Sequence, residues 1–344
     1  MTKFSRLLSF LAGIWMMHAA CPAYADAVED FYKGKTVTVL IGAPPGGSYD
    51  VTGRVIAKHM GKYIPGKPQM IPQNMPGAGQ LLVTNHLYNN AVKDGSVFGI
   101  FARGMALEPL IGNDNAKFDG SKFTWIGSTT DEVSLCVTYG NSPVKNWNDA
   151  LAKEFTVGGN GPGSDPDVFS NVLKSVFGSK NRLVTGYTGS GEIALAMERG
   201  ELDGRCGWSW SSIKAEKSQW LKDGKLNLLV QLTLSEGTPE LKDVPVVTAF
   251  AKDDRQRQLL KLIFSRQQMG RPFAAPPGIP EDRKQALRKA FDLTVADPEF
   301  LAEAQQRGLE IRPVSGLEIE KLVNDMYQTP KDVIAVARAA SESK

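Results

Sequence analysis

The chain has 344 residues, with 40 basic and 37 acidic side chains, a formal net charge of +3 and 22% charged residues. This near balance provides no basic surface, so it argues against binding of nucleic acid or of an anionic membrane. Only three histidines are present. Two of them, His59 and His86, fall in predicted helices among polar neighbours, which predicts surface positions. We therefore expect no metal, no cofactor and no enzymatic activity.

The first 25 residues have the pattern of a secretory signal peptide. Lys3 and Arg6 precede the apolar stretch LLSFLAGIWMM, and the small-residue sequence AYA at 23–25 is typical of a signal-peptidase site. Cleavage after Ala25 would leave 319 residues with a formal charge of +1 in the periplasm. The alternative is a lipoprotein in which Cys21 is the modified residue.

A mature chain of this length exceeds what one hydrophobic core usually serves, so we expect two domains. Short apolar stretches alternate with helical ones, and the alternation restarts near residue 131. The predicted strands are, in chain order, TVTVLI, QMIPQN, SVFGIFA, FTWIGST, SLCVTY, FTVGGN, RLVTGY, LDGRCGW and LNLLVQL. This alternation predicts an α/β fold in which parallel sheets carry helices on both faces.

Helices are predicted between these strands and through the C-terminal part of the chain. Between Pro166 and Gly178 the apolar residues form one helical stripe, with proline in the first turn and glycine at the stop. Ser315 and Glu318 have the spacing of a capping box at the start of another helix.

Four glycine-containing turns each lie between a predicted strand and a predicted helix. They are PPGGS at 44–48, PGAG at 76–79, GNGPGS at 159–164 and TGSG at 188–191. Parallel strands end at one edge of the sheet, where ligands bind and where helix N-termini offer free N–H groups and partial positive charge. Two turns in each half of the chain predict two anion-binding walls that face each other across a cleft.

The first turn, within GAPPGGSYD, could hold a nucleotide phosphate, hold a carboxylate or simply connect two elements. It lacks the spacing of the P-loop and of the dinucleotide fingerprint, and no lysine is placed to reach a phosphate. A carboxylate needs only two or three amide donors, so we favour that reading. Asp50 would repel an anion, and we interpret it as a cap for N–H groups in the first turn of the helix.

Motifs along essentially the whole mature chain resemble the solute receptors of tripartite tricarboxylate transporters, also called Bug receptors. The first motif is the strand TVTVLI followed by Pro-Gly-Gly-Ser-x-Asp and a helix that carries Arg54. The later motifs are the turn at 74–79, Asp94-Gly95, GNGPGS, VTGYTGSGEIALAMERGELDG, DVP at 243–245 and APPGIP at 275–280.

The resemblance implies a periplasmic binding protein of type 2, with two doubly wound α/β domains and a ligand cleft between them. Residues 1–25 would be the signal peptide, 26–130 plus 262–344 the discontinuous first domain, and 131–261 the second domain. In this family a carboxylated small molecule is held largely by backbone amides. Carried over, the ligand-binding candidates are Pro45, Gly46, Gly47, Ser48, Tyr49, Asp50, Gly77, Ala78, Gly79, Gly161, Pro162, Gly163, Ser164, Tyr187, Thr188 and Gly189.

Further candidates come from departures in the later strands. Arg103 follows the third strand, where it could pair with a second ligand carboxylate or be a surface or hinge arginine. Trp208 and Trp210 would lie on the same side of an extended segment, which leaves core packing and ligand stacking as alternatives. Trp208 and Ser209 are the better cleft candidates.

Two cysteines, Cys136 and Cys206, remain in the mature chain. In the topology that the resemblance implies, their strands are neighbours. The periplasm is oxidising, so we expect a disulfide between them, with two buried free thiols as the alternative.

The function implied by the resemblance is a receptor that captures an organic acid by hinge closure. It would deliver the ligand to a membrane transporter with one large and one small subunit, and we expect the receptor to be a monomer. A receptor that signals to a membrane sensor and a periplasmic enzyme on the same scaffold are the alternatives.

Overall fold

The computed structural model describes residues 23–234 and 236–341. The predicted signal peptide up to residue 22, with the Cys21 alternative, lies outside this part of the chain. The predicted cleavage site after Ala25 falls in the first turn of helix α1 (Ala23–Tyr32). None of the helices in the described ranges is long and apolar enough to cross a membrane.

Eleven strands are formed by the described residues. In chain order they are β1 (Thr36–Ile41), β2 (Gln69–Asn74), β3 (Val97–Ile100), β4 (Thr124–Ser128), β5 (Ser134–Tyr139), β6 (Phe155–Gly158), β7 (Asn181–Val184), β8 (Gly204–Ser209), β9 (Leu226–Leu232), β10 (Pro272–Ala275) and β11 (Val314–Ser315). Four of them, β1, β2, β5 and β9, coincide residue for residue with the predicted stretches.

The remaining helices follow these strands in alternation. They are α2 (Ser48–Met60), α3 (Leu81–Asn89), α4 (Trp147–Ala152), α5 (Asp165–Phe177), α6 (Ser190–Glu198), α7 (Trp210–Glu216), α8 (Ser218–Lys222), α9 (Asp254–Phe264), α10 (Glu281–Val295), α11 (Pro298–Gln306), α12 (Gly316–Tyr327) and α13 (Lys331–Ser341). As predicted, α5 has proline in its first turn and ends at Gly178, whose φ is 76°. The capping box of Ser315 and Glu318 at the start of α12 is also confirmed.

Two sheets organise the fold, with strand orders β11-β4-β10-β3-β1-β2 and β7-β6-β8-β5-β9. The prediction of parallel sheets is wrong for three strands, because β5, β10 and β11 run antiparallel to their neighbours. The reason lies in the connections. Both β5 and β10 come directly after the chain has crossed from the other sheet, so each enters from the cleft side and runs against the strands that end there.

The C-terminal helix α13 packs against α5 and α9 rather than against the helices of the first sheet. Asn171 in α5 donates a hydrogen bond of 2.7 Å to the carbonyl of Ser341. The predicted first domain includes this helix, whereas its contacts join it to the second lobe. The exact domain limits therefore stay a prediction.

The predicted surface position is wrong for His59, which is 8% exposed. Its Nε2 lies 2.8 Å from Glu303 Oε2 because α11 packs against α2. His59, Asp297 and Glu299 offer ligand atoms within 4.8 Å of one another. The Lys62 ammonium, however, lies 2.6 Å from Asp297 and 2.8 Å from Glu299, so these carboxylates form ion pairs within the chain. His86 is half-buried.

Candidate ligand-binding cleft

A cavity of about 840 Å³ lies between the two sheets. Each of the four glycine turns follows the carboxyl end of a parallel strand, namely β1, β2, β6 or β7, and leads into a helix. Residues from all four turns line the cavity, which agrees with the predicted geometry of a cleft.

Fifteen of the nineteen predicted ligand-binding residues line this cavity. They are Pro45, Gly46, Gly47, Ser48, Tyr49, Gly77, Ala78, Gly79, Arg103, Ser164, Tyr187, Thr188, Gly189, Trp208 and Ser209. The other four do not line it and are Asp50, Gly161, Pro162 and Gly163. Whether any of these residues contacts a ligand stays a prediction.

In the first turn, Asp50 binds the backbone that precedes its helix. Its carboxylate accepts hydrogen bonds from the Gly46 N–H at 2.9 Å, from Asn74 Nδ2 at 2.7 Å and from Arg54 Nε at 2.9 Å. Burial raises the pKa of Asp50, but these hydrogen bonds outweigh burial and hold that pKa below its usual value. Asp50 therefore shapes the turn, as predicted, although it does so through Gly46 and not through amides within the helix.

In the third turn, Asp167 takes the equivalent position. Its Oδ2 accepts from the N–H groups of Asn160 at 2.7 Å and Gly161 at 3.0 Å and from Ser164 Oγ at 2.7 Å. Two of the expected donors of this wall, the Gly161 N–H and the Ser164 hydroxyl, thus already bind a carboxylate of the chain. The turn also closes on the opposite lobe, since a Cβ added to Gly79 would lie 2.9 Å from the Pro162 carbonyl oxygen.

The fourth turn repeats the arrangement at the surface. Glu192 accepts a hydrogen bond of 2.8 Å from the Thr188 N–H, which lowers the pKa of Glu192. Three of the four turns therefore direct N–H groups at an acidic side chain four to seven residues further along the chain, and these side chains are Asp50, Asp167 and Glu192. This differs from the expectation that these groups point into an open anion site.

Arg103 lies in the cleft but is not a free cation. It is 2% exposed, and its guanidinium pairs with Asp165 at 2.6 Å and donates to Ser134 at 2.8 Å and to Ser209 at 3.2 Å. These partners belong to the second lobe, so Arg103 links the lobes. The surface alternative is wrong, and pairing of Arg103 with a ligand stays a prediction.

The segment that contains Trp208 differs from the predicted extended strand. β8 ends at Ser209, and Trp210 begins α7. The Nε1 of Trp210 donates a hydrogen bond of 2.6 Å to Glu240. Gly207, with φ of 77°, is an extra residue in the pairing of β8 with β5. Such a β-bulge reverses the alternation of the side chains, so Trp208 lies on the same face of the strand as Arg205.

Arg205 is a cleft residue that the sequence reasoning missed. It is 6% exposed, and its guanidinium carbon lies 5.2 Å from the centre of the Trp208 ring. Among residues 23–234 and 236–341, nothing accepts a hydrogen bond from its buried Nε and Nη1 or forms an ion pair with it. Burial lowers the pKa of Arg205 to about 10, only partly offset by the charge of Glu216.

Two further charged residues line the cleft without having been predicted. Arg271 forms an ion pair with Glu132, whose Oε1 lies 3.3 Å from its Nη2. The same nitrogen donates a hydrogen bond of 2.9 Å to Ser212. Glu216, the last residue of α7, has a buried Oε1 for which the described part of the chain offers no hydrogen-bond donor. Burial raises the pKa of Glu216, while the positive charges of Arg205 and Arg271 and a hydrogen bond from the Ser48 N–H act in the opposite direction.

The predicted disulfide between Cys136 and Cys206 is present, with an S–S distance of 1.99 Å. The two residues face each other in the pairing of β5 with β8. Because Cys206 directly follows Arg205, the bridge fastens the strand that carries this cation to the middle of the second sheet.

In sequence, the chain is similar to a UPF0065 protein from the ttuE–ttuC' intergenic region of Agrobacterium vitis. The two are 22% identical over 302 residues, which cover 86% of this chain and 81% of that protein. No family model matches the chain.

In structure, the chain is similar to the periplasmic binding protein BugD, with a TM-score of 0.70 and 18% identity over 89% of this chain and 98% of that one. It is also similar to MatC from Rhodopseudomonas palustris with bound malate, with a TM-score of 0.66 and 20% identity over 87% and 99% of the two chains. The two-lobed periplasmic binding protein fold is thereby confirmed, as is the resemblance to the Bug receptors.

Proposed function

We propose that this protein is a periplasmic solute receptor that binds a carboxylated small molecule between its two lobes. The observation that carries the proposal is the Arg205 guanidinium in the cleft, whose buried Nε and Nη1 have no acceptor among the described residues. A buried cation without a partner is costly, and a carboxylate matches its donors in number and geometry. The malate bound to MatC supports a ligand of this class.

Closure of the lobes is the mechanism that we propose for capture. Ser48 of the first lobe and Ser212 of the second are 3.0 Å apart, and Arg103 reaches Asp165 across the cleft. A ligand that contacts both lobes favours the closed form by its extra contacts there. The closed receptor would then dock on a tripartite tricarboxylate-type transporter.

A role in catalysis has less support in the cleft. Neither His59 nor His86 lines the cavity, so among the described residues the cleft has no imidazole to act as a general base. Signalling to a membrane sensor has no specific observation in its favour.

The test is a thermal-shift screen of mono-, di- and tricarboxylates against the purified protein, with sugars and inorganic phosphate as controls. At a hundredfold excess over Kd, a true ligand stabilises the protein by about 2.7 kcal/mol. Shifts with carboxylates alone are the expected result. Shifts only with sugars or phosphate would contradict the proposal.

Gly47→Val provides a second test, because a Cβ at Gly47 meets only the Pro44 carbonyl oxygen at 3.8 Å. The variant should fold, and its added methyl groups should obstruct the cleft that Gly47 lines. Unchanged affinity in a folded variant would remove this turn from the site.

A further inference from the structure

We infer that the ligand carries, beside the carboxylate that binds Arg205, a hydrogen-bond-donating group, an ammonium or a hydroxyl, that binds Glu216. The inference rests on the proposed function and narrows its ligand class to 2-amino and 2-hydroxy acids. Three observations support it.

The first observation is the donor set around Arg205. Nε and Nη1 of Arg205, and also Nε1 of the 1%-exposed Trp208, are buried donors that no acceptor in the described ranges satisfies. The β-bulge at Gly207 brings the two side chains to one face of the strand. Together they form a site for an anion that is built from side chains, next to the turns rather than within them.

The second observation is the position of Glu216. It stands at the carboxyl end of α7, where the helix dipole is negative and disfavours a carboxylate. Its Oε1 is buried and unpartnered among the residues that the structure covers. A buried acceptor in this position requires a donor from outside the chain or from solvent.

The third observation is the charge pairing of the other cleft residues. Arg103 pairs with Asp165, and Arg271 lies near Glu132. Glu192 binds the Thr188 N–H, and Lys217 lies 3.9 Å from Glu198. Within the described residues, three charged side chains of the lining lack an ion pair, namely Arg205, Glu192 and Glu216. Of these three, Arg205 and Glu216 have polar atoms that are both buried and unpartnered.

A plain alkyl carboxylate satisfies only half of this arrangement. It would compensate Arg205 but leave the buried Oε1 of Glu216 without a donor among the described residues. A 2-amino or 2-hydroxy acid supplies an acceptor for Arg205 and a donor for Glu216 from adjacent atoms. Sites built to bind a polar group reject the analogue that lacks it, so we expect at least a tenfold preference, which equals about 1.4 kcal/mol.

Isothermal titration calorimetry on the purified protein tests the inference with matched acids of three lengths. The probes are propionate, lactate and alanine; succinate, malate and aspartate; and glutarate, 2-hydroxyglutarate and glutamate. In the series that fits the cleft, the substituted acids should bind at least tenfold more tightly than the unsubstituted one. Glu216→Gln should weaken the amino acid at least tenfold and leave the unsubstituted acid unchanged or tighter.

The matched control is Glu201→Gln, because Glu201 is 55% exposed and lies outside the cavity. This variant should bind every probe like the original protein. A loss confined to the amino acid identifies an ammonium at Glu216, and a loss for both substituted acids includes a hydroxyl. Equal affinities within each series, or an equal effect of Glu216→Gln on all probes, would overturn the inference while the proposed function stands. If no carboxylate binds at all, the proposed function itself fails.

Discussion

The glycine turns and the segment from β8 to α7 line the same cleft, but they differ in whether their polar groups have hydrogen-bond partners within the chain. In the first, third and fourth turns, backbone N–H groups bind Asp50, Asp167 and Glu192 of the same chain. In the segment from β8 to α7, by contrast, Arg205 and Glu216 have buried polar atoms without a partner in the described part of the chain.

This difference indicates that one region determines the shape of the cleft and the other recognises the ligand. A turn that is held by hydrogen bonds to an acidic side chain of the same chain keeps its conformation whether or not a ligand is bound, and it fixes the walls of the cleft. A buried unpaired side chain destabilises the protein until a ligand compensates it. We therefore assign ligand recognition mainly to the segment from β8 to α7, and the predictions below test that division from the largest expected effect to the smallest.

Loss of the disulfide should have the largest effect. Replacing Cys136 and Cys206 by serine removes a link across 70 residues, which lowers the free energy of unfolding by roughly 4 kcal/mol in the chain-entropy view. Urea denaturation measures this change. An Ellman assay that finds two titratable thiols in the denatured, unreduced protein would contradict the bridge.

Arg205→Met should lower the affinity for the carboxylate ligand about a hundredfold, since a buried hydrogen-bonded charge pair is worth roughly 2–5 kcal/mol. The ligand-free variant should melt at or above the temperature of the original protein, because an unpaired buried charge has been replaced by an apolar side chain of similar size. Calorimetric titration and thermal denaturation give the two values.

The matched control for this variant is Arg199→Met, at an arginine of the same lobe that is 67% exposed. It should change neither quantity. If Arg205→Met still binds the carboxylate tightly, the glycine turns and not Arg205 recognise the ligand, which would contradict this assignment.

Asp167→Asn should lower the stability of the protein and leave its affinity for the ligand nearly unchanged, the reverse of Arg205→Met. It replaces the carboxylate by a neutral amide, whose oxygen is a weaker acceptor for the N–H groups of Asn160 and Gly161 and whose NH₂ takes the place of the oxygen that accepts from Thr185, so we expect a loss of roughly 1–3 kcal/mol in the free energy of unfolding. Affinity should change less than threefold, as measured at a temperature where the variant is folded. A large loss of affinity with unchanged stability would show that the turn itself holds the ligand.

Glu303→Gln should have the smallest effect, and only on acid stability. Hydrogen bonds from Lys58, His59 and Arg307 lower the pKa of Glu303 to about 2, from 4.5. A carboxylate with a depressed pKa in the folded state stabilises the protein above its unfolded pKa, and this contribution is lost as the pH falls from about 5 to 2. The variant should thus lose less stability than the original protein over this range, with ligand affinity unchanged at pH 7.

Urea titrations at a series of pH values would measure the effect. Parallel stability curves for the two proteins would contradict the proposed role of Glu303.

The strands and the turns could be predicted because their signals are local. TVTVLI and LNLLVQL are apolar and β-branched over their whole length, and glycines mark each turn at the end of a strand. The direction of β5 and β10 could not be deduced in the same way, since it depends on where the chain crosses between the lobes.

The unpaired charges in the cleft could not be predicted from local signals. Arg205 stands in a strand next to a cysteine, and only the bulge at Gly207 and the position of α7 bring it into one cavity with Glu216, without an ion pair in the described part of the chain. The pairing of Arg103 with Asp165 likewise joins residues 62 positions apart. The role of Asp167 in the third turn did have a local signal. An acidic residue three positions after a serine, here Ser164, is typical of a capping arrangement at the start of a helix.

A crystal structure of the protein with its tightest-binding carboxylate would test the division between shape and recognition most directly. We predict a ligand carboxylate oxygen about 3 Å from the Arg205 guanidinium, with Asp50 and Asp167 still bound to the N–H groups of Gly46 and Gly161. A carboxylate bound by those N–H groups, with Arg205 remote from the ligand, would contradict it.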